Sequence, residues 1–350
     1  QAAIDACHAA GGGCVYLPPG AYRSGALRLK SNVRFFLEAG ALLQGTDSLA
    51  DYAPPHLLSA EDAENVTVEG RGTIDGSGPS FWFPKPGGRD PNFKPERQGW
   101  GEIEGFWWDY KERPEQMLRF TRCRNVRVSD VTLRNAPFWT LHVLNSDDVV
   151  IRGITIWNPP HGPNTDGIDI DASRDVRVAD CRIDTGDDGI VLKNTRSDLG
   201  SVAEVPASPG DEPAAHRQAV RAPEPGRGCR NITVTNCVVT TTCNALKIGT
   251  ESRDDFANIA FSNCVLDNRP GDEPGLKAIS GIAVEMVDGA RLSGVVCSNI
   301  VMRNVRAPFF IRLGNRGTGQ AVPTPGTLEG VLIENIRATG TSIPGTVAGI

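Results

Sequence analysis

The sequence predicts an all-β protein, a single-stranded right-handed parallel β-helix (a solenoid) with a short capping helix at its N-terminus. Three observations point there. Short alternating apolar phrases recur along the chain, Asn or Asp marks one place in them, and no amphipathic helices lie between them. Composition agrees: the 350 residues include 39 Gly and 25 Pro, with Val, Ile and Thr in short runs, a mix suited to many strands and tight turns.

The chain opens with its one helical segment, AAIDACHAA from Ala2, which reads as the polar-faced cap a repeat array needs. GGG and a strand-like VYLPPGAY follow, so the β-helix is expected from about Tyr16 to the C-terminus. A first phrase then recurs as RNVRVSDVTL from Arg124, DDVVIRGITI from Asp147, RDVRVADCRI from Arg174, RNITVTNCVV from Arg230 and ANIAFSNCVL from Ala257. Asn125, Asp148, Asp175, Asn231 and Asn258 hold equivalent places, at intervals of 23, 27, 56 and 27 residues. The long interval contains a Pro/Gly-rich loop, about 197–228, and a second insert spans about 77–116. The whole of 1–350 therefore reads as one domain with two inserted loops.

A second phrase follows each first one: WTLHV at Trp139, DGIDI at Asp166, DGIVL at Asp188, NALKI at Asn244, SGIAV at Ser280 and FFIRL at Phe309. Its third and fifth positions are always Ile, Leu or Val, and side chains alternate along a strand, so these two face inward. Coils of two or three such strands bury their apolar faces by stacking. A doubly wound fold would need amphipathic helices between the strands.

Charge and cysteines exclude several functions. The formal net charge is −6 with no Lys/Arg cluster, which argues against a nucleic-acid surface. No apolar run approaches the roughly 18 residues of a membrane span. The chain opens mid-pattern at Gln1 and stops at Ile350 without a closing element, so the lack of a leader says nothing about export. The nine cysteines show no zinc-ligand spacing. Cys181, Cys237 and Cys264 share one repeat position, which favours a buried column over a disulfide framework; pairing of Cys7 with Cys14, or of Cys229 with a neighbour, stays open.

Stacking the second phrase aligns outward residues. One column runs Trp139, Asp166, Asp188, Asn244, Ser280, Phe309; the next runs His142, Asp169, Val191, Lys247, Ala283, Arg312. Asp187 sits beside Asp188. Asp147, Asp148, Asp175, Asp254 and Asp255 read as solvated turn residues, but a scaffold has no use for Asp166, Asp187 and Asp188 side by side. Like charges so close raise at least one carboxyl pKa, placing a neutral acid next to an ionised base. Bound Ca²⁺ would need six to eight oxygens, and the flanking Lys247 and Arg312 discourage a cation, so neither metal nor other cofactor is expected.

At these residues the chain resembles glycoside hydrolase family 28, the polygalacturonase and rhamnogalacturonase family of pectinase-like β-helices. The match is Asn164-Thr165-Asp166-Gly167-Ile168-Asp169 together with Gly186-Asp187-Asp188-Gly189, offset by 22 residues. GGGCVYLPPGAYRSGALRLKSNV near the start and GRGTIDG at Gly70 look similar too, so the resemblance covers nearly the whole chain. It implies inverting hydrolysis of an α-glycosidic bond in a pectic polysaccharide or oligosaccharide. Asp187 would be the general acid, with Asp166 and Asp188 holding and activating water. It also implies a secreted or periplasmic protein, expected as a monomer. His142, Asn164, Asp169, Lys193, Asn244, Lys247, Glu285, Arg312 and Arg316 are the expected substrate-binding residues.

Two positions depart from the family pattern. The usual Gly-His-Gly aligns with Cys243-Asn244-Ala245, and the usual Arg-Ile-Lys, which grips a galacturonate carboxylate, aligns with Ala283-Val284-Glu285. A non-standard leaving-group subsite follows, as in a rhamnogalacturonan hydrolase or an exo-acting galacturonosidase. Lys247, Arg312 and Arg316 are the candidates to replace the missing clamp. In the first insert, Trp82, Trp100, Trp107 and Trp108 are expected mostly to pack the loop, with one at most touching sugar. Two other functions use the same architecture: a Ca²⁺-dependent eliminase like pectate lyase, and a non-catalytic carbohydrate-binding β-helix.

Overall fold

The computed structural model describes residues 1–84, 108–110, 112–195, 227–268 and 277–350. These residues wind as a right-handed parallel β-helix. A coil contributes up to three short strands, and each strand pairs in parallel with its counterpart in the next coil. One of the resulting faces is a ten-stranded sheet that starts at Leu27–Leu29 and ends at Thr346–Ala348.

The recurring Asn and Asp make the corners. Asn32, Asn65, Asn125, Asp148, Asp175, Asn231 and Asn258 have φ of 51–64°, the left-handed region that Asn and Asp tolerate better than other chiral residues. Their side chains also chain together in two runs, with Asp148 between them bonded to Arg177 instead: Asn65 Nδ2 donates to Asn32 Oδ1 at 2.8 Å and Asn125 to Asn65 at 2.8 Å, then Asn231 to Asp175 at 2.9 Å and Asn258 to Asn231 at 3.0 Å. The recurrence seen in the sequence is thus a hydrogen-bonded ladder at a bend.

The inward columns form the core. Leu118, Leu141, Ile168, Ile190, Leu246 and Ile282 stack in register on the ten-stranded face, all fully buried. Burial of each such side chain contributes roughly 1.5–3 kcal/mol relative to exposure. Cys181, Cys237 and Cys264 form a buried thiol column with Cys237 hydrogen-bonded to both neighbours, and all nine cysteines are unbridged. The Ala2–Ala9 helix packs on the first coil through Ile4 and Cys7.

Two expectations change. In the last phrase, Ile282 pairs with Phe309, so Arg312 lies beside Glu285, two residues from its expected neighbour Ala283. A slip of two keeps every side chain on its face, so in/out alternation could not detect it. Asp254 is buried, and its backbone carbonyl accepts Asn194 Nδ2 at 2.7 Å, whereas Asp255 is exposed as expected. In the first insert Trp82–Pro84 and Trp108–Tyr110 pair antiparallel, and Trp82 packs onto the coil as expected, buried with its Nε1–H donated to the Pro137 carbonyl at 3.0 Å. Trp100, Trp107 and nearly all of the second insert lie outside the described residues.

Candidate active site

The outward side of the ten-stranded face carries the carboxylates. Asp166 and Asp188 each precede a glycine that enters a strand, Ile168–Asp171 and Ile190–Asn194. The glycines are required by close stacking: a Cβ on Gly167 would lie 2.4 Å from the Gly189 carbonyl oxygen, and one on Gly189 would lie 2.6 Å from that of Ala245. Adjacent coils therefore bring their Asp-Gly turns directly over one another, with Gly167 N–H donating to Asp188 O at 2.9 Å.

Two lysines hold the cluster together, Lys193 buried and Lys247 largely so. Lys193 Nζ lies 3.0 Å from Asp166 Oδ2 and 2.7 Å from Asp169 Oδ1. Lys247 Nζ lies 2.9 Å from Asp188 Oδ2 and 3.9 Å from Glu285 Oε1. Burial lowers the proton affinity of both lysines, but the carboxylates around them hold their pKa well above the ordinary value. Asp188 Oδ1 also accepts Asn244 N–H at 3.1 Å and Asn244 Nδ2 at 2.8 Å, while Ser280 Oγ donates to Asn244 Oδ1 at 2.8 Å.

These contacts divide the carboxyls. Burial pushes Asp188 up, but Lys247, Lys193 and the Asn244 hydrogen bond outweigh it and hold Asp188 below the usual range. Burial pushes Asp187 up, and the Asp188 charge pushes the same way. Asp187 is also the least buried of the three; its Oδ1 accepts Asp188 N–H at 2.8 Å and its Oδ2 faces Asn164 Nδ2 at 3.5 Å. Burial raises Asp166 with Lys193 opposing, and raises Asp169 to about 7 against the same lysine. Two adjacent carboxyls are thus pushed in opposite directions, Asp188 toward the ionised form and Asp187 toward the protonated one.

The other expected binding residues are distributed unevenly. His142 is buried, with Nε2 3.4 Å from Asp171 Oδ2, and burial first of all lowers it to about 4, so it is neutral near pH 7. Arg316 donates Nε–H to buried Asp288 at 2.8 Å and Nη2–H to the Thr250 carbonyl at 2.9 Å. Arg312 is exposed and lowers the proton affinity of Glu285, which burial otherwise raises. Lys247 is not a free clamp, since Asp188 and Glu285 already flank its charge.

Three further residues belong to the site. Trp139 lies with its ring centroid 3.5 Å from Lys193 Nζ, and it heads its phrase in the same column as Asp166 and Asp188, a signal available in the sequence. Cys243 joins Asp187 and Asp188 in a group whose sulfur and oxygens lie within 4.8 Å of one another. Lys247 already supplies a positive charge there, and one soft sulfur with two carboxylates is far from the all-oxygen shell of a hard cation. Arg113, in the first insert, reaches Asn164 Oδ1 at 2.9 Å, and no sequence pattern marked it.

With this geometry in place, comparison with known proteins is decisive about ancestry. The sequence model described as Glycosyl hydrolases family 28 matches residues 7–307. The chain belongs to this family. A probable polygalacturonase of Vitis vinifera is 26% identical over 215 residues, covering 56% of this chain and 40% of the relative. One of Arabidopsis thaliana is 28% identical over 258 residues, covering 69% and 48%. The chain thus spans about half the length of these relatives or less. The exopolygalacturonase of Thermotoga maritima shares the fold, with a TM-score of 0.70 at 22% identity over 97% of this chain and 76% of that one. Within family 28, the two departures from pattern now have structural content. Asn244, at the expected histidine position, is bonded to Asp188, and Glu285, at the expected lysine position, faces Lys247.

Proposed function

We propose that this chain hydrolyses α-glycosidic bonds in pectic polysaccharide or oligosaccharide, as a polygalacturonase-type enzyme with an unusual leaving-group subsite. The supporting observation is the opposed environments of two adjacent carboxyls: burial and the Asp188 charge raise the proton affinity of Asp187, while Lys247 and Asn244 lower that of Asp188. Asp187 protonates the leaving oxygen. Asp188 and Asp166 hold the attacking water and remove its proton. The approach of Asp187 to Asp188 within 4.8 Å is shorter than the roughly 6.5–9.5 Å that admits a water between acid and base in inverting enzymes. The water is therefore assigned to the Asp166–Asp188 side, and inversion rests on family membership.

Glu285 and Ala283 stand where a carboxylate clamp was expected, and Glu285 would repel a galacturonate there. This favours a neutral leaving-group sugar, such as the rhamnose of rhamnogalacturonan. Arg312 is exposed beside Glu285, and it would counter part of the repulsion. Secretion and monomeric action accord with such a substrate. No helix among the described residues is long and apolar enough to cross a membrane.

The test is Asp187→Asn assayed on pectic oligosaccharides and on a substrate with an activated aryl leaving group. General acid catalysis is worth about 10²–10⁴-fold, so turnover of natural substrate should fall by that order. The activated substrate should suffer much less, because its leaving group needs no proton. Near-native kcat on natural substrate would overturn the assignment. Loss of activity with a chelator, together with an ultraviolet-absorbing unsaturated product, would indicate elimination instead.

A further inference from the structure

The first insert reaches the active site through one side chain. Arg113 is stacked between rings, its Cζ 3.4 Å from the Tyr110 centroid and 4.4 Å from that of Phe138. Its Nη1 donates to the carbonyls of Pro137 at 3.0 Å and Pro163 at 2.5 Å, and its Nη2 to Asn164 Oδ1 at 2.9 Å. That last bond fixes which end of the Asn164 amide faces the cluster. With its oxygen turned to Arg113, the Asn164 Nδ2 points toward Asp187 Oδ2, 3.5 Å away. Asn164 is exposed and sits in a left-handed turn at φ 50°, so its own loop supplies little restraint on the amide.

The stack continues past Phe138. The Phe138 and Trp139 rings are stacked with centroids 5.0 Å apart, and Lys193 Nζ lies 3.5 Å from the Trp139 centroid and 3.0 Å from Asp166 Oδ2. Tyr110, stacked on Arg113, is thereby connected to two of the three aspartates, to Asp187 through the Arg113–Asn164 hydrogen bond and to Asp166 through Phe138, Trp139 and Lys193.

We propose that Arg113 is a positioning residue for hydrolysis: it orients Asn164 toward Asp187, so that full activity depends on docking of the Trp108–Tyr110 segment onto the coil. The proposal rests on the assignment of Asp187 as the acid. Guanidinium suits the task because its planar fork serves three acceptors at once while stacking on aromatic faces; an ammonium does neither as well. The groups acting on Asp187 are Asp188, Lys247 and Lys193, with Arg113 adding a further positive charge. Arg113 and the Asn164 N–H both favour the ionised acid. Removing either should raise the proton affinity of Asp187 and move the alkaline limb of the pH–rate profile to higher pH.

The experiment is a double-mutant cycle on the full chain with Arg113→Gln, Asn164→Ala and the pair, reading kcat, KM and pH profile on a pectic oligosaccharide. Each single variant should lower kcat by about 10- to 100-fold, the scale of a misplaced reacting group, with KM changed less and the alkaline limb shifted upward. The pair should be little worse than Asn164→Ala alone, and Arg113→Lys should restore only part of the rate. Losses that multiply in the pair, or an alkaline limb that stays in place in the single variants, would overturn the proposal. If Arg113→Gln does not fold, the limb position in Asn164→Ala and Arg113→Lys decides, since Asn164 is on an exposed turn. Asp187→Asn separates the two levels. Retained turnover there removes the acid assignment itself, whereas a dead Asp187→Asn with unaffected Arg113 and Asn164 variants removes only this proposal.

Discussion

Lys247→Met tests how Asp188, the proposed base, is kept ionised. The Lys247 side chain is 12% exposed and its partner Asp188 5%, so solvent screens the pair little. Removing one member of a buried ion pair costs roughly 3–5 kcal/mol, because the other charge is left without compensation. Asp188 keeps two hydrogen bonds from Asn244, which places the expected loss at the lower end, about 3 kcal/mol. The sign with pH follows from linkage. The folded pKa of Asp188 is depressed, so its ionised form adds stability above the unfolded value of about 3.9, and that contribution is lost as pH falls through the folded pKa. Without Lys247, the carboxyl takes up a proton more readily. The deficit in unfolding free energy should thus be large near neutral pH and shrink toward acid, and the acidic limb of the pH–rate profile should move upward. Urea unfolding at several pH values and kcat/KM profiles on one oligosaccharide measure both effects. A deficit independent of pH, with the acidic limb unmoved, would refute the reasoning.

Other expectations follow from neighbouring contacts. Glu285→Lys should improve cleavage of oligogalacturonides relative to substrates with a neutral leaving-group sugar; kinetics on matched oligosaccharides show whether the preference moves. Asp169, raised to about 7, weakens the fold when ionised, so its contribution is present at low pH and lost as pH rises through about 7. The stability of Asp169→Asn relative to the parent should therefore increase between about pH 4 and 7 in denaturant titrations. Asn231→Ala removes both ladder hydrogen bonds and the short polar side chain that eases φ 58°, and should cost about 1–2 kcal/mol, with Asn231→Gly milder in the same assay. Nuclear magnetic resonance of the first product should show the inverted anomer; a retained anomer would fit the short approach of Asp187 to Asp188 and would make one of them a nucleophile.

The sequence by itself determined the repeat and most of what the repeat implies. Asn125, Asp148, Asp175, Asn231 and Asn258 were legible because a left-handed corner accepts few residue types, so the same ones return at each coil. Ile168, Ile190, Leu246 and Ile282 were legible because a strand's period of two separates inward from outward positions. Asp166, Asp187 and Asp188 followed, since parallel stacking in register turns a sequence offset into proximity. Tertiary structure decided what depends on length and direction of side chains. The register of Arg312 was hidden because a slip of two residues preserves facing. Lys193 and Lys247 could be assigned to outward positions but not to partners, since long flexible chains reach carboxylates on neighbouring coils in several directions. Only the coordinates showed that Lys193 joins Asp166 and Asp169 while Lys247 joins Asp188. Arg113 lies 51 residues from Asn164 within an aperiodic insert, where no repeat fixes position; its place in the site arises from ring stacking and hydrogen bonds that exist only once the insert has folded against the coil.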